Sequence, residues 1–372
     1  MTALARIFGA LVFAAAAFAQ TDAPDPFADV APATATPPDA PPSPLRAFFN
    51  DNFGFRKEIM SEFDTNADGS EASRQSLGFE LLKKFSTETS TIAAFDFQAR
   101  LVRRDGYNMV PNEMDGLGRQ GWAFEYHNLY LDLYNVLGHS RRPGRFNFRI
   151  GHSYVPFGLS LQTDTHGTLL QLSNGDNFGF DRDWSAGLQG SLNHSLDYNA
   201  SYLTGSGYDL TWKGQTGLAA LRLALSNRFS SNYGLEGGLS LIEGSRLDPI
   251  LPLRTQRIGI DARWRRTAPE GLLTFTTELS GGRDASDPVF TQLHQADYLH
   301  ASRRWGLAAQ FRDLHRDAFG VNSSVIGEFT WYLRNDVANS NSHWIKLNVE
   351  RQLANPAGPP RTLITLQYYF YI

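Results

Sequence analysis

From Phe53 onward, apolar and polar residues alternate with a period of two along most of the chain. In FGFRKEIMSEF, Phe53, Phe55, Ile59 and Phe63 fall on one side, and Arg56, Glu58 and Glu62 on the other. In IAAFDFQARL, Phe95, Phe97, Ala99 and Leu101 oppose Asp96, Gln98 and Arg100. HNLYLDLYNV sets Leu129, Leu131 and Leu133 against Tyr130, Asp132 and Tyr134, and RIGIDARWR sets Ile258, Ile260, Ala262 and Trp264 against Arg257, Asp261, Arg263 and Arg265. Successive side chains of an extended strand point to opposite faces, so this spacing predicts strands with one apolar and one charged face. Segments of this kind lie near 53–63, 74–85, 91–102, 122–136, 144–155, 183–192, 195–204, 215–226, 233–243, 255–266, 271–281, 289–301, 304–314, 323–334, 342–353 and 361–372. They number sixteen, with no helix-period segment of any length between them.

The polar face carries too many charges for the inside of a sandwich, whose two sheets bury one continuous apolar core. The pattern fits an all-β transmembrane antiparallel barrel, with the apolar face toward lipid and the polar face toward an aqueous lumen. Leu129, Leu131, Phe146, Phe148, Ile260, Trp264, Phe275, Leu307, Phe311 and Phe329 are assigned to the lipid face. The even-numbered connections read as short (STETS, GHSRRPG, NH, SNRFSSN, TAPEG, Ser302-Arg303 and residues 335–341). The two longest, 103–121 and 156–182, are odd-numbered, an asymmetry that places both termini on the periplasmic side. The last stretch, TLITLQYYFYI, alternates in the same way and is expected to pair with the first strand, because lipid offers no partner to a free strand edge.

The rest of the composition agrees with export. MTALARIFGALVFAAAAFA, residues 1–19, has one Arg6, a short apolar run and a small-x-small ending, and reads as a secretory signal peptide. Residues 20–45 are rich in Pro and Ala and read as a disordered periplasmic linker, leaving 46–372 as one barrel domain. No later stretch offers about 20 consecutive apolar residues, so a helical membrane protein is excluded. Zero cysteines leaves no disulfide framework, and a formal charge of −4 gives no footprint for nucleic acid. Mean hydropathy is −0.33, a value compatible with strands in which only alternate residues are apolar.

RIGHSYVPFGLSL, residues 149–161, resembles the strand followed by Pro-Phe-Gly of the phosphate-selective porin O and P group. YLHASRRWGLAAQFRD and EFTWYLRND with HWIKLNVERQL resemble its closing hairpins. The resemblance implies a 16-stranded, trimeric porin of the Gram-negative outer membrane. The aromatic end of the chain resembles the signal read by the barrel-assembly machinery, with Ile372 in place of the more common terminal Phe. Phosphate selectivity does not carry over, because the long connections lack that group's Lys- and Arg-rich segments.

These readings imply passive diffusion of small hydrophilic solutes or ions, with the third external connection folded into the lumen as a constriction. The expected pore-lining residues are Arg100, Asp132, Arg149, Asp164, Asp176, Asp181, Arg257, Asp261, Arg263, Arg265 and Arg312. An acidic connection would then face a slightly basic wall. The alternative is a barrel serving as a sheath or scaffold for a periplasmic partner such as an electron-transfer protein. Asp64, Asn66 and Asp68 have the opening spacing of a calcium loop, but position 12 is Gln75, and a polar hairpin is the simpler reading. His152, Ser153 and His166 suggest no complete nucleophile-base set, so neither an enzyme nor a cofactor is implied.

Overall fold

The computed structural model describes residues 52–372 except 67–68, 70, 88–89, 107–120, 138–143, 160–167, 209–214, 249–250, 318–319, 337–340 and 357. The expected signal peptide and linker lie outside these residues. Sixteen strands form: β1 (Phe53–Asn66), β2 (Glu71–Ser86), β3 (Thr91–Gly106), β4 (Gly121–Leu133), β5 (Asn147–Tyr154), β6 (Arg182–Ser191), β7 (Leu196–Leu203) and β8 (Gly217–Leu225). They continue as β9 (Leu235–Asp248), β10 (Leu251–Ala268), β11 (Gly271–Asp284), β12 (Asp287–His300), β13 (Trp305–Arg316), β14 (Gly320–Asp336), β15 (Asn341–Ala354) and β16 (Thr362–Tyr371). Each pairs antiparallel with its sequence neighbours, and β1 pairs with β16 to close the barrel. Closure continues to Ile372, whose N–H donates to Lys57 O at 3.0 Å.

Residue parity decides what faces where. Phe55, Ile59 and Phe63 are exposed at 50%, 43% and 55%, while Glu58 and Glu62 between them are buried. The outside is therefore the apolar face, the inverse of a water-soluble fold and the arrangement required where lipid is the solvent. Among the described residues no helix is long and apolar enough to cross a membrane, which says nothing against crossing by strands.

Among the described residues two short helices interrupt the strand pattern. Ser173–Phe178 forms α1 within the β5–β6 connection, and Asn227–Tyr233 forms α2 between β8 and β9. The second corrects the reading of SNRFSSN as a plain turn. Ser226 caps it by accepting from Phe229 N at 3.3 Å, and Gly234 ends it with φ +64°. Strand ends also differ from expectation. β4 stops at Leu133 and β5 starts at Asn147, so one even-numbered connection, 134–146, is long. Conversely, the odd-numbered connections 249–250 and 285–286 have only two residues each. The asymmetry of connections is thus partial. β5, β7 and β8 have 8, 8 and 9 residues, whereas β10 has 18 and β14 has 17, so the length of paired strand varies round the barrel.

Candidate functional site: the barrel interior and its long connection

The β5–β6 connection, residues 155–181, is tied at its base by Val155 N donating to Asp181 O at 2.9 Å. From there it turns onto the inward residues of the opposite wall. Gly158, at φ +62°, donates its N–H to Ser240 Oγ on β9 at 3.1 Å. Leu159 N and Ser173 Oγ both donate to Glu278 Oε2 on β11, at 3.3 and 2.6 Å. Gln171 exchanges two backbone bonds with the side-chain amide of Gln310 on β13, at 2.9 and 3.1 Å. Asn177 of α1 accepts from Ser280 Oγ at 2.7 Å and from Thr291 Oγ1 at 3.3 Å through its side chain.

An apolar cluster stands inside this polar barrel. Val155, Phe157, Phe178 and Phe180 of the connection pack with Leu203, Leu218, Ala220 and Ile242 from the inward faces of β7, β8 and β9. Phe157 and Phe178 meet edge to face at 5.2 Å between centroids. Burying each such ring is worth about 1.5–3 kcal/mol. α1 has six residues and no side-chain N-cap, so isolated helix propensity would not hold it, and its stability comes from these contacts. The Pro-Phe-Gly passage thus has a physical role here: Phe157 supplies the ring and Gly158 the left-handed turn beside the wall.

Of the charges expected to line the pore, those on the described strands lie on the polar side of the wall, and most are paired. Arg149 holds Asp132 through two bonds of 2.7 Å. Arg100 meets Glu125 at 3.1 Å and Glu58 at 3.7 Å. Asp261 accepts from Arg222 at 2.7 Å, and Arg257 donates to Asp284 at 2.8 Å. Arg263 bonds Glu236 at 3.1 Å, and Arg265, which is more exposed, shares that carboxylate. Asp176 meets Arg312 at 2.9 Å, so its charge is met at once by the wall instead of standing free in the lumen. Burial pushes the Asp176 carboxyl above its ordinary value, while Arg312 and Arg316 oppose that rise. Asp181 is buried, and Asp164 lies outside the described residues.

Several interior groups were absent from that set. Glu62, Asp64 and Glu80 line β1 and β2, and Arg246, Asp284 and Arg316 form a network near the β11–β12 turn. Strand parity would have found Glu62 and Glu80, which lie on the polar side of their segments, whereas Asp64, Arg246, Asp284 and Arg316 stand on strand ends that run past the expected boundaries.

The remaining candidates are placed as follows. Asp64 and Asn66 belong to β1, where Asp64 accepts from Thr365 Oγ1 of β16, so they stand on a paired strand instead of a loop. Asp68 is outside the described residues, among which no group of three or more His, Cys, Asp or Glu could hold a metal. His152 and Ser153 are consecutive on β5 and point to opposite faces. His152 Nδ1 is 2.7 Å from His127 O, with Trp184 and Tyr208 against its ring, and His166 is outside the described residues. Tyr208, from the connection after β7, also stacks on Tyr126 of β4 at 4.3 Å.

No family model and no curated protein matches the sequence. Solved structures do match. OprB of Pseudomonas putida at high pH aligns with a TM-score of 0.60 and 10% identity, over 88% of this chain and 96% of its own. Salmonella typhi OmpF in complex with daunomycin gives 0.59 and 10%, over 86% and 97%. An anion-selective porin from Comamonas acidovorans gives 0.56 and 10%, over 86% and 99%. At such identities the likeness is one of architecture, and the chain has the closed β-barrel fold of the porins.

Proposed function

We propose that the protein is a channel of the bacterial outer membrane through which small hydrophilic solutes and ions diffuse passively, narrowed by the β5–β6 connection. The observation that carries this reading is the set of bonds from that connection to Ser240, Glu278 and Gln310, all on the charged side of a wall whose other side is apolar. A chain segment held inside a polar barrel reduces the cross-section and places its own groups along the path. The shared fold with porins supports the same reading. Trimeric assembly, recognition by the barrel-assembly machinery and the narrower likeness to the phosphate-selective group are parts of this proposal that rest on the sequence resemblance. A sheath around a periplasmic protein is the weaker alternative, because Phe157, Phe178 and Phe180 already fill the space against β7–β9.

The test is planar-bilayer recording of the purified protein with a salt gradient. Replacing Asp176 and Asp181 together by Asn frees Arg312 from its partner on the connection, so anion permeability should rise and conductance should change. An unchanged reversal potential and conductance would remove the connection from the permeation path.

A further inference from the structure

We propose that Glu278 is the positioning residue that closes the neck of the β5–β6 connection and thereby sets the conductance of the channel, an inference that rests on the channel reading above. The outgoing limb of the connection, at Leu159, and the returning limb, at Ser173, both donate to a single oxygen, Glu278 Oε2. The other wall contacts engage one limb each: Ser240 the outgoing limb, and Gln310, Ser280 and Arg312 the returning one. Among the described wall residues, Glu278 is the one hydrogen-bonded to both.

The surroundings commit this carboxylate to the task. Glu278 is buried, and among the described residues it forms no salt bridge. Its direct cross-strand neighbour on β10 is Asp261, another acid, which is engaged by Arg222 at 2.7 Å. A buried carboxylate without a cation needs hydrogen-bond donors, and the connection supplies them. Close approach is possible because residue 158 is glycine: a Cβ there would stand 2.1 Å from Glu278 Oε2. Wall and connection therefore satisfy each other at one point, and losing the carboxylate frees both limbs together.

Single-channel recording of the full-length protein, with folding checked by heat-modifiable migration, tests the proposal. Glu278→Ala should shift the mean conductance and widen its distribution. Ser173→Ala, which leaves the strand untouched, should shift it in the same direction by less. Glu278→Gln retains a carbonyl oxygen to accept both bonds and should keep the wild-type value. The chain contains no cysteine, so Leu159→Cys and Ser173→Cys can be added to the Glu278→Ala protein to join the limbs by a disulfide. Oxidation should restore wild-type conductance, and a reductant should abolish the rescue. A conducting wild type whose Glu278→Ala and Ser173→Ala variants match it, or a disulfide that restores nothing, overturns the clasp and leaves the channel reading standing. A folded wild type without conductance overturns both.

Discussion

The ring of Phe157 occupies the space that a side chain at position 259 would need. A Cβ on Gly259 of β10 would lie 2.6 Å from Phe157 Cζ, closer than non-bonded carbons approach. The wall has a hole at Gly259, and the connection fills it with an aromatic ring. This steric fit, together with the Glu278 bonds, registers the connection against the barrel.

Gly259→Ala should therefore displace Phe157 without disturbing the β9–β10–β11 ladder. Overpacking of this kind costs about 1–3 kcal/mol. The expected readout is a lower unfolding temperature in detergent with altered conductance. Gly259→Ala combined with Phe157→Ala should recover part of the stability, because the clash is gone. Equal stability of wild type and Gly259→Ala would show that the ring is not seated there in solution.

Leu307 and Ala308 are adjacent on β13 and face opposite ways. Leu307 is 49% exposed on the apolar outside, and Ala308 pairs on the inside with Asp297 and Glu328. Leu307→Arg should cost roughly 2–4 kcal/mol in lipid if the position lies near the midplane. Ala308→Arg gains two acidic neighbours and should fold with near-normal yield. Equal penalties at both positions, measured by denaturant titration in liposomes, would contradict the register.

Acidification should change selectivity through Asp176. Because its folded carboxyl titrates above the ordinary 3.8, it takes up a proton at a higher pH than the unfolded chain does. Within that window, falling pH favours the folded form at this group, so Asp176 does not drive acid unfolding. Protonation instead leaves Arg312 with Glu350, at 3.4 Å, as its remaining carboxylate. Anion permeability should rise as pH falls toward 3.8, and Asp176→Asn should remove that component of the pH dependence.

Deleting Phe370–Ile372 should prevent closure. The deletion removes the pairs Ile59 with Phe370 and Glu58 with Tyr371, and the bond that the Tyr371 hydroxyl makes to Glu80. The exposed edge of β1 would be left without partners in lipid. Heat-modifiable barrel at wild-type yield from the truncated chain would contradict this.

The strands were legible because lipid and water impose opposite demands on alternate residues. Even the irregular segment 289–301 forms β12 between two well-patterned neighbours. Helix α2 was hidden in a short polar stretch, although Ser226 and Gly234 are cap residues at fitting positions. The long connection between β4 and β5 was missed because Val136 and Leu137 prolong the apolar stretch, although the alternation breaks at Asn135 and register pairing with β5 ends at Leu133. The inward charges were legible as a class but their partners were not. Whether Asp176 stands free or bonds Arg312 depends on the path of the connection, which Gly259, Glu278 and Gln310 determine from distant strands. No local pattern encodes such a meeting.

The unequal strands have a consequence for how the ring would open. β4 and β5 are joined by five register pairs, whereas β10 and β11 share fourteen. Amides along the β4–β5 seam should therefore exchange with solvent deuterium sooner than those of β9 to β12, and thermal opening of the barrel should begin at that seam.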